Sequence, residues 1–137
     1  MTRINVINPS LLHDAHLLAE EREIVRIPNQ LISGRLKPEW VETYRLGAGH
    51  VKFFTTRLSW LHRRYQEVHD ECLMRGFKPL WKWPDVKVDG DWTPTEESVM
   101  INIERVKERT LGAKRNPRYC GKEIERTRFI KTMYGNL

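Results

Sequence analysis

Sulfur chemistry is nearly missing from this 137-residue chain, which contains only two cysteines, Cys72 and Cys120. The two lie far apart, and neither belongs to a CxxC motif or stands at metal-ligand spacing from a histidine. We therefore expect two free thiols in a reducing compartment. The five histidines also lack an HExxH pattern, which argues against a metal-dependent nuclease. The sequence predicts no metal and no other cofactor.

Long apolar runs are missing as well. No stretch approaches the roughly 18 residues of a membrane span, and residues 1–15 lack the basic-then-apolar layout of a signal peptide. We expect no membrane partner and a cytoplasmic location, or association with the host nucleoid if a virus encodes the protein. The length suits one domain over residues 1–137, which we expect to be a monomer.

Positive charge is present but unevenly distributed. The net charge at pH 7 is +6, and the segment from Arg105 to Lys131 holds ten basic residues against three acidic ones. Lys and Arg supply the sequence-independent part of DNA affinity through phosphate contacts, so this segment favours a polyanionic partner. An ordinary solvated basic tail is the alternative that composition leaves open.

Apolar spacing predicts two helices in the first 76 residues. The first begins at a cap on Asn8 or Ser10 and stops or kinks at Pro28. The second covers residues 55–75, where apolar side chains recur every three or four positions, and Gly76 ends it.

A third helix is predicted by a capping box from Thr93 to Glu96, with Pro94 at the first helical position. Short helical pieces around residues 28–33 and 38–44 are compatible with the pattern. No strand and no repeat is predicted, and the basic segment after residue 112 receives no element. The predicted fold class is an all-α, single compact domain of three main helices with long connections.

A charged cluster on the first helix offers chemistry. His16 and Glu23 share a face at about 100° per residue, and Arg22 and Arg26 flank the carboxylate. Cationic neighbours favour the charged form of a carboxylate, and a negative charge stabilises a cation that develops beside it. Such a group suits cleavage of a glycosidic bond, although helix surfaces often carry Glu beside Arg as a solvated face.

The start of the chain, MTRIN, offers a nucleophile. A small second residue such as Thr2 permits removal of Met1, which would free the α-amine of Thr2. That amine titrates near 7.7–8.0 and a lysine near 10.4, so roughly a tenth of the α-amine is neutral at pH 7. Only a neutral amine attacks a sugar carbon, but many chains begin Met-Thr, and the cue needs support.

Four motifs supply that support: MTRIN, HLLAEEREI at residues 16–24, LGAGHVKFF at 46–54 and ECLMRGF at 71–77. In this order and spacing they resemble the pyrimidine-dimer glycosylase and AP lyase family, of the T-even phage endonuclease V type. The resemblance extends to about residue 111. It implies an all-helical domain with its N-terminal segment threaded between helices, and double-stranded DNA containing UV lesions as the partner.

The resemblance also implies roles for individual residues. The α-amine of Thr2 would attack the sugar and form a Schiff base, and β-elimination would then nick the strand. Glu23 would stabilise the cationic sugar and imine and help to move protons, and Arg3, Arg22 and Arg26 would hold phosphates. His16 would lie near the lesion and assist strand opening and product handling. Lys122 is kept in a C-terminal segment that has lost most of the aromatic residues of the family, and it completes the predicted DNA contacts.

Some alternatives stay open. The LWKW stretch at residues 80–83 either contacts DNA or fixes a loop to the core, and His50 either caps a helix or touches DNA. A helical DNA-binding module without catalysis, and a lyase or glycosylase with another pyrimidine lesion preference, are the competing functions.

Overall fold

The computed structural model describes residues 4–135, and in this range the molecule is mostly helical. After a 3₁₀ turn at Pro9–Leu11, the elements in chain order are α1 Asp14–Ser33, α2 His50–Phe54, α3 Leu58–Met74, α4 Glu96–Gly112, β1 Arg118–Tyr119, β2 Lys122–Glu123 and α5 Arg126–Tyr134. The all-α class is confirmed, and the three predicted helices correspond to α1, α3 and α4.

Helix α1 starts later and runs further than predicted. The Asn8 side chain caps the 3₁₀ turn by accepting from the Ser10 amide, while His13 is the cap of α1. Pro28 does not stop the helix, which continues to Ser33. Proline removes the helical hydrogen bond to the carbonyl four residues earlier, but Pro28 is buried within the helix that it interrupts.

The second predicted helix, at residues 55–75, corresponds to α3 but was predicted to begin three residues too early, and the short helix α2 that precedes it was not predicted. Helix α2 ends at Phe54 and α3 begins at Leu58, because Arg57 leaves the helical conformation with φ −134° and ψ 44°. The Thr55 hydroxyl closes α2 by donating to the Lys52 carbonyl at 2.7 Å. The predicted stop is confirmed, since Gly76 has φ +87° directly after the last turn of α3.

Helix α4 is capped by Thr95, whose hydroxyl accepts from the Ser98 amide at 3.1 Å. The predicted cap at Thr93 is therefore wrong by two residues, and Pro94 precedes the cap instead of opening the helix. The helix packs on the core through an apolar face that includes Ile103 and Val106, which are both buried.

None of the elements after α4 was predicted from the sequence. Strands β1 and β2 form an antiparallel hairpin in which Tyr119 pairs with Lys122, and Cys120 and Gly121 turn the chain with φ of 51° and 82°. Two consecutive positive φ angles are typical of the tightest hairpin turn. The absence of strands was thus a wrong prediction, and α5 was not predicted at all. Residues 38–44 contain no helix.

The segment that follows residue 3 is threaded between α1 and α4, as the resemblance implies. Ile4 and Ile7 are buried in the same hydrophobic core as the helices. The Asn5 side chain donates to Glu20 of α1, and the Val6 amide donates to Asn102 of α4.

Candidate active site

A small pocket lies where the N-terminal segment passes the second half of α1. It has a volume of about 150 Å³. Its walls come from three parts of the chain: Ile4, then Glu23, Arg26, Ile27 and Gln30 of α1, then His50 and Val51 of α2. The carboxylate of Glu23, predicted to be catalytic, therefore lies in the same pocket as Ile4, which is only two residues after Thr2.

Glu23 is held between two arginines. Its Oε1 lies 3.1 Å from Arg26 Nη1 and 3.9 Å from Arg22 Nη2. The Glu23 side chain is 17% exposed, while the side chains of Arg22 and Arg26 are 42% and 56% exposed. One anion with two accessible cations leaves a local excess of positive charge, which suits a phosphate passing the carboxylate.

His50 forms the opposite wall of this pocket. Its ring packs edge-on against Tyr44 and Phe54, and its Nδ1 lies 3.0 Å from the Arg45 carbonyl. Burial lowers the pKa of His50 from 6.5 to about 4, so the ring is neutral at pH 7. Among the described residues its Nε2 is buried and has no hydrogen-bond partner. His50 is the first residue of α2, whose cap is Gly49, so its ring serves the pocket instead of capping the helix.

A buried polar network anchors the N-terminal segment beside the pocket. The Arg64 guanidinium donates to both oxygens of Glu20 at 2.6 and 3.0 Å, and to the Ile7 carbonyl. Asn5 links this ion pair to α4, because it donates to Glu20 and accepts from Asn102, each at 2.7 Å. Three helices thus hold the chain at residues 5–7.

His16 lies away from the pocket, two turns before Glu23. Its ring packs on that of His13, with the centroids 3.8 Å apart. Burial lowers the pKa of His16 from 6.5 to about 3, and the neighbouring charges of His13 and Arg109 act in the same direction. A neutral imidazole at pH 7 can accept or donate a hydrogen bond at a DNA surface but gives phosphate no full charge.

Helix α4 contributes two arginines that the sequence analysis counted only as part of the basic segment. Arg105 and Arg109 are one turn apart on α4 and follow Asn102, which contacts the N-terminal segment. The Nε atoms of Arg22, Arg105 and Arg109 are buried without a hydrogen-bond partner in the described part of the chain. Partly buried guanidinium groups with unused donors are suited to phosphate. The spacing of four residues between Arg105 and Arg109 was the sequence signal that could have identified them as neighbours on one face of the helix.

Lys122 lies on the hairpin, exposed and outside the pocket. The hairpin is fixed to the start of α1 because Asp14 accepts from the Cys120 amide at 2.9 Å and the Gly121 amide at 2.7 Å. Arg75 also donates to Asp14, at 3.0 Å. Thr2 and Arg3, the other predicted site residues, lie outside the described residues.

The two tryptophans of the LWKW stretch lie in different environments. Trp83 packs against His62 at 4.8 Å and fixes the connection to α3, while Trp81 is 48% exposed and free to contact a ligand. Within residues 4–135, no helix is long and apolar enough to cross a membrane. The same range contains no group of three or more His, Cys, Asp or Glu side chains that could hold a metal ion.

A family model described as pyrimidine dimer DNA glycosylase matches residues 1–85 of this chain. The match covers more than half of the sequence and includes the N-terminal segment, α1, α2 and α3. The chain therefore belongs to the pyrimidine dimer DNA glycosylase family, as the four motifs indicated. Its activity is that of a DNA glycosylase, and DNA containing UV lesions is its substrate.

Proposed function

We propose that this glycosylase attacks the damaged nucleotide with the α-amine of Thr2, freed by removal of Met1, and that it is also an AP lyase. The proposal is supported by one feature above all: Ile4 and Glu23 line the same pocket. Two residues of extended chain span up to about 7 Å. The α-nitrogen of Thr2 can therefore reach the pocket that contains the carboxylate.

The reaction follows from these groups. The neutral amine forms a bond to C1′ of the sugar as the glycosidic bond breaks and the base leaves with the electron pair. Glu23 stabilises the positive charge on the sugar and then on the imine. Loss of a proton from C2′ and departure of the 3′-phosphate, which takes the electrons of its C3′–O bond, complete β-elimination and nick the strand. The covalent intermediate divides one difficult displacement into easier steps.

We propose that Arg3, Arg22, Arg26 and Lys122 contact the DNA backbone and that His16 contacts DNA near the lesion as a neutral ring. Arg105 and Arg109 join this set because each has a buried Nε without a hydrogen-bond partner among the described residues. A dimerised, poorly stacked pair of bases costs less to extrude than a sound pair, which favours damaged sites. Residues 1–137 act as one domain and as a cytoplasmic monomer; the single core that joins Ile4 to Tyr134 supports the one-domain reading.

Borohydride trapping tests the covalent step. The protein, incubated with abasic or dimer-containing duplex and sodium borohydride, should yield a stable protein–DNA adduct that denaturing electrophoresis detects. A version that retains Met1 or carries an N-terminal tag should bind DNA and give no adduct. If the processed protein binds both duplexes and forms no adduct with either, it is a DNA-binding module or a glycosylase that does not use an amine.

A further inference from the structure

The pocket contains one chemically competent group to which the proposed reaction assigns no role. His50 is buried, lines the same pocket as Glu23 and Ile4, and its Nε2 has no hydrogen-bond partner among the described residues. A buried polar atom without a partner is costly and calls for an explanation. We propose that His50 is a further catalytic residue, whose Nε2 accepts a proton from the attacking α-amine and passes it to the sugar ring oxygen.

The surroundings of His50 select the form of the ring that can accept a proton. A carbonyl oxygen can only accept, so the contact with the Arg45 carbonyl at 3.0 Å requires Nδ1 to carry the hydrogen. In the neutral ring the lone pair then lies on Nε2. Tyr44 and Phe54 pack edge-on against the ring and hold its plane.

Proton balance gives this lone pair a function. When the neutral amine bonds to C1′, its nitrogen becomes positively charged and still carries two hydrogens. One of these protons must leave before the nitrogen lone pair can open the sugar ring and form the imine. Nε2 takes that proton, and then donates it to O4′ as the C1′–O4′ bond breaks and the oxygen keeps the electron pair. His50 ends neutral, and no other reactant is required.

Glu23 is less suited to this step. A carboxylate beside the amine favours the ammonium form, which is not a nucleophile. Glu23 is already engaged with Arg22 and Arg26, and its negative charge is needed for the cationic sugar. A neutral acceptor on another wall takes the proton and leaves the carboxylate of Glu23 charged. Once protonated, the Nε2–H group of His50 is a hydrogen-bond donor and can return the proton to O4′.

The inference rests on the proposed amine chemistry, and chemical rescue tests it separately. His50→Ala removes the ring and leaves a space that free imidazole can enter. The rate of borohydride-trapped adduct on abasic duplex should fall about 10²-fold, while the dissociation constant for the duplex stays within about threefold. Added imidazole should restore the rate, and more basic substituted imidazoles should restore it more. His62→Ala, a histidine on α3 away from the pocket, should trap at the wild-type rate.

If wild-type protein forms no adduct, the amine mechanism fails and this inference fails with it. If wild type forms adduct and folded His50→Ala forms it equally fast, only the role of His50 is overturned. Rescue that is independent of imidazole basicity would show that the ring only fills space. Should His50→Ala fail to fold, His50→Phe keeps the aromatic packing without an acceptor, and a wild-type trapping rate in that variant overturns the inference.

Discussion

Glu20 and Glu23 lie one turn apart on α1, and both face arginines, yet they occupy opposite environments. Glu20 is fully buried and bonds to Arg64, whose side chain is 3% exposed. Glu23 is 17% exposed, and its partner Arg26 is 56% exposed. The same pair of residue types is therefore sealed at one position and open to an incoming ligand at the next.

The difference shows what makes a carboxylate available for chemistry. Within the described part of the chain Glu20 accepts hydrogen bonds from Arg64 and Asn5 and is fully buried, so it is not accessible to DNA. The arginines near Glu23 remain in contact with water and can bind phosphate while the carboxylate faces the pocket. Glu20 fixes the segment at residues 5–7, whereas Glu23 is the carboxylate that we propose meets the substrate.

The largest effect is expected when the sealed pair is broken. Arg64→Met leaves Glu20 as a buried charge without its partner, and the free energy of unfolding should fall by about 3–5 kcal/mol. Denaturant unfolding measures this value. Arg26→Met, at the open pair, should change it by less than about 1 kcal/mol. Equal losses in the two variants would contradict the distinction between the pairs.

At the open pair the effect should appear in catalysis instead. Glu23→Gln keeps the size of the side chain and removes the charge that, in the proposed reaction, stabilises the cationic sugar. We expect base release to slow by about 10²- to 10³-fold with little change in DNA affinity or thermal stability. Single-turnover release from dimer-containing duplex measures the rate. Near-normal release by the folded variant would remove Glu23 from the catalytic site.

Local sequence pattern was enough to predict much of the fold and part of the candidate site. The helices α1, α3 and α4 follow from apolar spacing, and Glu23 with its two arginines follows from positions on one helix. The hairpin could not be predicted because its turn is held by Asp14, 106 residues before Cys120 in the chain. A Cys-Gly pair is also a weaker turn signal than Asn-Gly. Helix α5 is short, and its charged residues obscure the buried face formed by Phe129 and Ile130.

The pocket itself required the fold. Nothing in the spacing of LGAGH tells that His50 faces Glu23, because α1 and α2 are joined by an irregular connection that shows no period. The same is true of Glu20, because the partner that makes its burial possible is Arg64, 44 residues later. Periodicity identifies which side chains share a face, and only tertiary packing decides which of those faces is covered.

A smaller effect sharpens the comparison at the level of DNA binding. If Arg26 contacts a phosphate, Arg26→Ala should lower the slope of log affinity against log salt concentration by about 0.9. Arg63→Ala is the matched control, because Arg63 is also an exposed arginine and is paired with a single carboxylate, Asp91, on the connection after α3. Fluorescence anisotropy at several salt concentrations measures both slopes. An unchanged slope for Arg26→Ala would place this residue outside the interface.

The smallest effect concerns the buried histidines, which extend the contrast between sealed and open groups. Burial lowers the pKa of His16 from 6.5 to about 3 and that of His13 from 6.5 to about 4. Below pH 6.5 the unfolded chain therefore binds protons that the folded protein does not, and stability falls as the pH decreases toward 4. The melting temperature should drop between pH 7 and pH 5. His16→Phe should reduce this drop, whereas replacing the more accessible His62 with Phe should leave it unchanged; a drop that is equal in all three proteins would assign the acid sensitivity to other groups.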